Sequence, residues 1–447
     1  VGDAADAAAA VDIIALVQES VAQYKQATSV GGGGGGAAGA AAAAGGSGGS
    51  EYEPYSVRAW RDAGDGLYVL RPRGSNYRRL LGFDLDSTLV VPRSRGRFAQ
   101  SADDWTYWNA AVPRVLRAVA ARADAAQVCV MVFSNQGGAK SDAKVRAVQG
   151  RITQVLNDLR LPTVGVGAAF AAAKNHYRKP LPGMFDWFVK NVNRGAPLDL
   201  AASHYVGDAA GRHAGWNGAG SVKDFACSDR SFAANCGLPF ATPEEYFLGK
   251  APTKRWSWPG DDPERYLTVD HDVDFYTGHL PLARADGRQE LIICVGAPAT
   301  GKSHLVKKHL VPKGYVRVNQ DTLKTRAKCL QLARDSLAAG KSVVIDNTNP
   351  AVSTRKEYLN LLKPHPHARA RCFFFTTPRL LAAHLNSYRT RLTRGAVPLI
   401  PEIAYRKFDA AFIMPCTAEG FEEVKHVSFI ADFEDERAKR LFRLRTA

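Results

Sequence analysis

At 447 residues the chain is longer than one hydrophobic core usually serves, so we expect two folded units with tails. Its 59 Lys and Arg outnumber 43 Asp and Glu, and the resulting net charge of +16 favours a polyanionic partner, either nucleic acid or an anionic membrane surface. Seven scattered cysteines without a CxxC pair argue against a disulfide framework and a structural zinc site. No apolar run reaches the roughly 18 residues of a membrane span, and the start lacks the features of a secretory signal, so we expect a soluble intracellular protein.

Residues 1–55 are predicted to form a low-complexity, largely disordered tail. The tract GGGGGGAAGAAAAAGGSGGS at 31–50 has almost no side chain to bury and is typical of a flexible linker. Before it, Ile14, Val17, Val21 and Tyr24 recur at helical spacing and predict one short amphipathic helix. This helix is either the end of a preceding module or a docking element for a partner. Because the first residue is Val1, we expect further sequence upstream.

Residues 56–250 alternate between strand-like and helix-like segments. Apolar runs at 79–85, 128–133, 163–168 and 204–206 predict strands, and helical patterns at 113–123, 141–159 and 183–193 lie between them. This order predicts an α/β domain with a doubly wound parallel sheet.

A second series of the same kind follows a connection. Prolines and tryptophans interrupt the pattern over 251–285, which we interpret as an interdomain connection. Residues 286–447 then predict a second doubly wound α/β domain, with strands near 290–295, 315–318, 343–345 and 371–375 and helices at 302–310, 322–338 and 379–394.

Polar side chains follow several strands of the first domain. Asp84 and Asp86 end one strand, Ser134 and Asp208 end two others, and a loop carries Lys179 towards the same edge. A lone DxD is as well explained by a capped turn, but the convergence of three strand ends favours chemistry. Carboxylates that repel one another at one point are relieved by a hard cation, so we expect Mg²⁺. The two acids are expected to have separate roles, one as a nucleophile and the other as a general acid/base.

These motifs, DLDST with a later strand-end serine, a lysine and a late aspartate, resemble the haloacid dehalogenase superfamily of phosphatases. The resemblance implies that Asp84 is the nucleophile, Asp86 the acid/base and Ser134 a ligand of the phosphoryl oxygens. It also implies that Lys179 is the counter-charge and that Asp208 joins Asp84 and Asp86 at the metal. Ser87 departs from the family, which usually has glycine there, and this departure leaves the local turn geometry open.

The segments after Leu89 and after Ser134 are too short for an inserted cap domain, so we expect an uncapped site, which suits the end of a polymer. Arg93, Arg95 and Arg97, together with the basic run at 71–79, are expected near its mouth. A solvated basic face is the alternative interpretation of these arginines.

The second domain carries a phosphate-binding motif. After an apolar strand and before a helix, the sequence reads G-x-x-x-x-G-K-S, formed by Gly296, Ala297, Pro298, Ala299, Thr300, Gly301, Lys302 and Ser303. Backbone N–H groups of such a loop surround phosphates, Lys302 reaches the β- and γ-phosphates, and Ser303 reaches Mg²⁺. The motif predicts ATP as the nucleotide.

Two further features indicate transfer to an acceptor hydroxyl. Asp321 follows a strand and is placed to accept a proton, although an N-cap role is the alternative. Arg389, Arg391 and Arg394 predict a lid that supplies guanidinium groups to the transferred phosphoryl, or else face solvent. Asp346 is interpreted either as a magnesium-associated group or as a turn former.

The combined sequence resembles the eukaryotic polynucleotide kinase 3′-phosphatase family over residues 56–435. The sequence stretches on which this resemblance depends include FDLDSTL, FSNQGG, RKPLPGMFDW, YVGDAAGR, GYVRVNQDTL and VVIDNTNP. The resemblance implies removal of 3′-phosphates and phosphorylation of 5′-hydroxyls at DNA termini in repair, with Asp321 as the base and Arg389 as the lid arginine.

The family also sets expectations about location and partners. We expect a nuclear protein, with an organellar pool as the alternative, that acts as a monomer away from membranes. Neither a forkhead-associated module nor zinc fingers are found, so repair scaffold proteins are expected to bind through the N-terminal segment. The competing hypotheses are an RNA end-healing enzyme, a kinase and phosphatase of small metabolites, and a non-catalytic nucleic-acid-binding scaffold.

Overall fold

The computed structural model describes residues 18–19, 21–22, 26, 53–122, 127–161, 164–267, 276–277, 280–284 and 286–446. The glycine-rich tract at 31–50 lies outside these residues, as do Ile14, Val17 and Tyr24 of the predicted first helix. Val21 is described; it is helical and buried. Among the described helices, none is both long enough and apolar enough to cross a bilayer.

The chain divides into two compact units. Unit 1 contains Val1–Pro259 with Arg445–Ala447, and unit 2 contains Gly260–Leu444. The point of division falls within the stretch 251–285 that the sequence predicts as a connection. All seven tryptophans belong to unit 1, the last at Trp258. Tryptophan fluorescence therefore reports on that unit alone.

Within its described residues, unit 1 is built on one seven-stranded sheet and a small hairpin. The strands are β1 (Arg61–Asp62), β2 (Leu67–Leu70), β3 (Arg79–Phe83), β4 (Val90–Val91), β5 (Thr106–Tyr107), β6 (Val128–Asn135), β7 (Gly165–Ala171), β8 (His204–Val206) and β9 (Phe240–Ala241). The helices are Ala111–Arg122, Asp142–Leu159, Gly183–Asn191, Ser228–Cys236 and Pro243–Leu248, with a short 3₁₀ turn at Val57–Ala59.

The strand order of the large sheet is β1-β2-β7-β6-β3-β8-β9. The five neighbouring strands β7, β6, β3, β8 and β9 pair in parallel. At one edge the sheet is mixed, because β2 pairs antiparallel with both β1 and β7. β6 and β7 are buried along almost their whole length because helices cover both faces, as is usual for parallel strands. β3 lies between β6 and β8, so the end of β3 is central in the sheet.

The described part of unit 2 forms a five-stranded parallel sheet. Its strands are β10 (Glu290–Val295), β11 (Val316–Val318), β12 (Val343–Ile345), β13 (Arg369–Phe375) and β14 (Glu423–Val427), in the order β11-β12-β10-β13-β14. The α-helices are Lys302–Leu305, Gln320–Leu323, Arg326–Ala338, Val352–Leu359, Arg379–Leu392, Glu402–Ala411 and Glu436–Arg443. A π-helical turn at Val306–Leu310 continues the first of them, and 3₁₀ turns lie at Pro263–Tyr266, Val311–Lys313, Asn360–Leu362 and Thr417–Glu419.

Both units have the α/β architecture that the sequence predicts, with the antiparallel edge of the unit 1 sheet as the one difference. The fully described segment 84–110 contains the β4–β5 hairpin and no inserted domain. The predicted helix at 322–338 is divided in two, since Lys324 has a positive φ of 72° between Gln320–Leu323 and Arg326–Ala338.

A buried ion pair joins the central strand of the unit 2 sheet to its neighbour. Arg371 on β13 and Glu290 on β10 are both fully buried, and the guanidinium donates hydrogen bonds of 2.7 Å to both carboxylate oxygens. Arg371 also donates to the carbonyl oxygens of Pro281 and Leu282, so the pair holds the chain that precedes β10 against the sheet.

We expect Arg371→Leu to lower the free energy of unfolding of unit 2 by about 3–5 kcal/mol, because it leaves a buried carboxylate without its cation. Combining it with Glu290→Leu should restore part of this loss. The measurement is urea unfolding followed by far-UV circular dichroism, since unit 2 lacks tryptophan. If the double variant is less stable than the single one, the interpretation of an uncompensated charge is wrong.

Candidate active sites

Asp84 lies directly after β3 in the middle of the unit 1 sheet. Its N–H donates to the carbonyl oxygen of Val206 at the end of β8 (2.8 Å), which fixes its backbone between the two strand ends. Its side chain is 13% exposed and accepts a hydrogen bond from Lys179 Nζ at 2.8 Å. The carboxylate is therefore nearly buried yet still reachable from solvent.

Lys179 is the buried cation of this site. Its ammonium donates to Asp84, to Oδ1 of Asp229 (2.7 Å) and to the hydroxyl of Tyr205 (2.8 Å). Burial by itself would lower the pKa of Lys179, but the charges of Asp229 and Asp84 outweigh burial and raise it. The lysine consequently remains charged inside the protein.

Three aspartates surround one point. Asp84, Asp208 and Asp229 each offer a carboxylate oxygen, and these oxygens lie within 4.8 Å of one another. Burial, opposed by Lys179 and assisted by Asp229, raises the pKa of Asp84 to about 7. Burial and the neighbouring charges of Asp229 and Asp84 raise the pKa of Asp208 well above its usual value. Such a cluster of hard oxygen donors with a single buried lysine fits a divalent cation such as Mg²⁺.

Sequence reasoning missed Asp229. It lies in the first turn of the helix Ser228–Cys236 rather than at a strand end, and its Oδ2 accepts the N–H of Ala209 (3.0 Å). Gly207 makes room for it, because a Cβ at this glycine would lie 2.5 Å from three side-chain atoms of Asp229. Gly207 and Asp229 are 22 positions apart in the sequence, and only the folded structure shows that they are in contact.

Asp86 faces a different environment from Asp84, as its separate predicted role requires. Its side chain is 42% exposed and accepts hydrogen bonds from Arg151 Nη1 (2.9 Å) and Gln136 Nε2 (2.7 Å). It does not belong to the group of three oxygens that could share a metal ion within the described residues. Arg151, on the helix Asp142–Leu159, is a further residue that the sequence did not indicate.

Ser134 and Thr88 complete the phosphatase site. Ser134 is buried at the end of β6, and its hydroxyl accepts the second hydrogen bond of the Gln136 amide at 2.8 Å. Thr88 is also buried; its Oγ1 accepts the N–H of Asp208 (3.1 Å) and lies 3.4 Å from the Asp208 carboxylate. The structure thus brings all the predicted residues of the first site to one edge of the sheet.

In unit 2 the phosphate-binding loop connects β10 to the helix that begins at Lys302. Lys302 is buried, and its ammonium donates to the carbonyl oxygen of Gly296 (2.9 Å) and to Thr300 Oγ1 (3.2 Å). These partners are neutral, and burial lowers the pKa of Lys302 to about 8. The ammonium of Lys302 is therefore not hydrogen-bonded to a carboxylate, and a negatively charged phosphate can bind to it.

The predicted base and lid arginine lie beside this loop. Asn319, not Asp321, caps the helix Gln320–Leu323, since its side chain accepts the N–H of Thr322 (3.2 Å). The charges of Arg389 and Asp321 both act on the pKa of Lys302, and the charge of Asp321 acts on Arg389. The charges of the three groups are therefore close enough to act on one another.

The other two lid candidates differ from Arg389. Arg391 is half-buried and donates to the carbonyl oxygen of Leu441 (3.4 Å). Arg394 is exposed just after the helix Arg379–Leu392. Of the three arginines, Arg389 is the one whose charge reaches Lys302.

Asp346 ends β12, next to the strand that leads into the loop. Its Oδ2 accepts hydrogen bonds from Arg317 at 2.6–2.7 Å. Its Oδ1 is buried without a hydrogen-bond partner among the described residues. An orphaned buried carboxylate oxygen at this position fits a magnesium ion, or its bound water, together with the Ser303 hydroxyl.

Unit 1 thus has the site of a haloacid dehalogenase-like phosphatase, and unit 2 has that of a P-loop kinase. A family profile described as Polynucleotide kinase 3 phosphatase matches residues 79–247, and one described as AAA domain matches residues 291–399. The bifunctional polynucleotide phosphatase/kinase of Schizosaccharomyces pombe is 35% identical over 377 residues, covering 83% of this chain and 85% of that protein. The polynucleotide 3′-phosphatase of Saccharomyces cerevisiae is 28% identical over 214 residues, covering 37% of this chain and 86% of that protein.

The chain belongs to the family of bifunctional polynucleotide phosphatase/kinases. The resemblance found in the sequence is confirmed, and the protein is a polynucleotide 3′-phosphatase and a polynucleotide 5′-kinase. The roles assigned to individual residues remain predictions.

We expect Gly207→Ala to reduce 3′-phosphatase kcat by about 100-fold, because the new methyl group displaces Asp229 and a shift of about 1 Å can cost this much. Kinase activity should persist. Gly138→Ala is the matched control, since a Cβ there meets nothing within 4 Å. Equal loss of activity in both variants would contradict the proposed contact.

Lys179→Met should lower the free energy of unfolding of unit 1 by about 3–5 kcal/mol and abolish phosphatase activity, because two buried carboxylates lose their shared cation. Urea unfolding followed by tryptophan fluorescence measures the effect in unit 1. The exposed Lys140→Met should change stability by no more than about 0.5 kcal/mol. An unchanged Lys179→Met transition would show that these acids do not depend on the lysine.

Proposed function

We propose that the protein repairs the ends of DNA strand breaks, converting 3′-phosphate and 5′-hydroxyl ends into ends that a ligase can join. The observation that carries the proposal is the environment of Asp84, which is a nearly buried carboxylate beside Lys179, with the differently placed acid Asp86 two residues later. The family membership supplies the class of substrate, and the net charge of +16 suits a polyanion.

In the phosphatase reaction Asp84 attacks phosphorus, and the bond from phosphorus to the 3′-oxygen breaks. Asp86 donates a proton to the leaving 3′-oxygen and then accepts one from the water that hydrolyses the aspartyl-phosphate. Arg151 and Gln136 hold Asp86 in place for both steps. Ser134 contacts a phosphoryl oxygen, and Lys179 balances the charge of the nucleophile.

Asp84, Asp208 and Asp229 would hold Mg²⁺ in this site, and Mg²⁺ when bound neutralises charge on the phosphoryl group. The elevated pKa values of Asp84 and Asp208 support this assignment, since a cation would favour their ionised forms. Asp86 contributes to catalysis from outside this group of ligands.

In the kinase reaction the loop from Gly296 to Ser303 receives the triphosphate of ATP. Asp321 accepts the proton of the attacking 5′-hydroxyl, and Arg389 with Lys302 stabilises the charge of the transferred phosphoryl group. Ser303 and Asp346 would hold the second Mg²⁺. Asn319 caps the helix Gln320–Leu323, so Asp321 is not occupied as a helix cap, and this supports the role of Asp321 as the base.

We further propose that the protein acts as a monomer in the nucleus and that residues 1–55 bind repair scaffold proteins. The basic composition and the family resemblance support the nuclear assignment. RNA end healing is the competing function because it requires the same two reactions. A scaffold without catalysis is disfavoured by the intact sites in both units.

We expect Asp84→Asn to abolish 3′-phosphate removal while 5′-phosphorylation persists, and Lys302→Ala to have the opposite effect. The assay uses a labelled nicked DNA duplex with 3′-phosphate and 5′-hydroxyl ends, ATP and Mg²⁺. Each variant is the folding control for the other. Loss of both activities in either variant would contradict two separate sites.

The same duplex made with RNA at the nick tests the choice of substrate. We expect a higher kcat/KM at DNA ends for both reactions. A preference for RNA ends would overturn the assignment to DNA repair while leaving the two reaction types intact.

A further inference from the structure

The main chain of Lys179 is fixed by an asparagine at the end of β6. The N–H of Lys179 donates to Oδ1 of Asn135 at 2.9 Å, and Nδ2 of Asn135 donates to the carbonyl oxygen of Lys179 at 3.0 Å. Asn135 directly follows Ser134, so the strand end that carries the serine also holds the lysine. Because a lysine side chain is a flexible four-carbon stem, the place of its ammonium depends on the place of its main chain.

A second asparagine, Asn235, holds the residue that follows the lysine. Nδ2 of Asn235 donates to the carbonyl oxygen of Pro180 at 2.8 Å. Asn235 lies in the last turn of the helix Ser228–Cys236, and Asp229 in its first turn accepts the Lys179 ammonium at 2.7 Å. Asp229 and Asn235 are six positions apart, which is about 9 Å along a helix. One helix therefore contacts both the ammonium of the lysine and the residue that follows its main chain.

Asn235 is not needed to end its own helix. The N–H of Gly237, which has a positive φ of 72°, donates to the carbonyl oxygens of Ala233 and Ala234 and closes the last turn. An asparagine near a helix end often serves as a cap, but here that task is already met by glycine. The hydrogen bonds of the Asn235 side chain go instead to groups outside the helix.

The main chain of Arg445 binds the rest of the Asn235 side chain. Nδ2 of Asn235 also donates to the carbonyl oxygen of Arg445 at 2.9 Å, and its Oδ1 accepts the N–H of Arg445 at 2.8 Å. The two residues are 210 positions apart in the sequence, and Arg445–Ala447 belong to unit 1. The guanidinium of Arg445 lies over the ring of Trp258, 4.0 Å from its centroid, and anchors this segment further.

We propose that Asn235 is a positioning residue of the 3′-phosphatase, which holds Lys179 at the place where its ammonium meets Asp84, and that the main chain of Arg445 fixes the orientation of Asn235. This inference rests on the proposed role of Lys179 as the counter-charge of Asp84. It follows that a segment which comes after the whole kinase unit in the sequence supports catalysis in the phosphatase unit. If the contacts only stabilised unit 1, their loss would lower its stability and leave kcat of the folded protein unchanged.

The test measures kcat and KM of full-length Asn235→Leu, Arg445→Pro and their combination, on a 3′-phosphorylated oligodeoxynucleotide and on p-nitrophenyl phosphate. Asn235→Leu keeps the size of the side chain and removes its hydrogen bonds. Arg445→Pro removes the N–H that Asn235 accepts, and Leu444 already has the extended backbone that a following proline favours (ψ 116°). Asn191→Leu is the matched control, because the amide of this half-buried asparagine donates to the carbonyl oxygen of Trp187 in its own helix (3.0 Å).

We expect Asn235→Leu to lower kcat about tenfold on both substrates while KM stays within about twofold of wild type, because a displaced ammonium misaligns the nucleophile after the substrate has bound. Arg445→Pro should lower kcat about threefold, and Arg445→Ala, which keeps both main-chain groups, should lose less. The combined variant should match Asn235→Leu, since both changes break the same link. Asn191→Leu should have the wild-type kcat, and phosphorylation of a 5′-hydroxyl strand should persist in every variant.

Labelling of lysines with acetic anhydride, followed by mass spectrometry, reports on the place of Lys179 itself. We expect the buried Lys179 to be labelled about fivefold faster in Asn235→Leu than in wild type, because the main chain next to it opens more often. The buried Lys302 of the kinase unit should be labelled at the same rate in both proteins. Urea unfolding followed by tryptophan fluorescence checks that unit 1 is folded under the labelling conditions.

Three results would overturn the inference. The first is an unchanged kcat in Asn235→Leu while Lys179→Met is inactive. The second is an equal loss in Arg445→Pro and Arg445→Ala, which would assign the effect to the guanidinium, and the third is a combined variant whose losses multiply. If Lys179→Met retains phosphatase activity, the proposed role of the lysine fails instead. If Asn235→Leu does not fold, the comparison of Arg445→Pro with Arg445→Ala decides the inference.

Discussion

The phosphatase unit depends on one buried ammonium group. Lys179 donates three hydrogen bonds below the surface, two of them to carboxylates that would otherwise repel each other, and the third to Tyr205 at the centre of the sheet. Without this cation, the ends of β3 and β8 and the start of the helix Ser228–Cys236 would each place negative charge at one buried point. The desolvation of these acids raises the pKa of Asp84, and the charge of the lysine allows the fold to tolerate that desolvation.

Each unit has a buried lysine in its site, but the charges around the two lysines differ. In unit 1 the lysine is outnumbered by carboxylates, and this group of oxygen donors fits a cation. In unit 2 Lys302 donates to carbonyl and hydroxyl oxygens, which carry no full negative charge, and burial lowers its pKa. The phosphates of a nucleotide supply that missing charge directly. The same residue type therefore lies in a site that fits a metal ion in one unit and in a site that fits a phosphate in the other.

Much of this arrangement could be predicted from the sequence because buried parallel strands have near-continuous apolar runs. The strands β3, β6, β8, β10 and β12 were predicted on that basis, and the acids that follow them were predicted to converge. The short strands β1 and β2 and the alternating strand β14 are not predicted because their patterns are too short or too polar to stand out. Asp229 and Arg151 were missed for a different reason: both lie on helices, where a charged residue has an ordinary explanation on the solvent face. Only the packing of those helices shows that both side chains are buried and turned towards the site.

The departure at Ser87 illustrates how the local backbone serves the chemistry. Ser87 has a φ of 58°, the left-handed region that a glycine would adopt without strain, and a non-glycine residue there costs about 1–2 kcal/mol. Its N–H nevertheless donates to the carbonyl oxygen of Val90 at 2.8 Å, and the turn is complete. The turn is what brings the chain back so that the Thr88 hydroxyl can hold the N–H of Asp208. Asp84 and Asp86 differ in environment because β3 ends at Phe83 and this turn begins between the two acids, so the positive φ of Ser87 lies where the chain separates them.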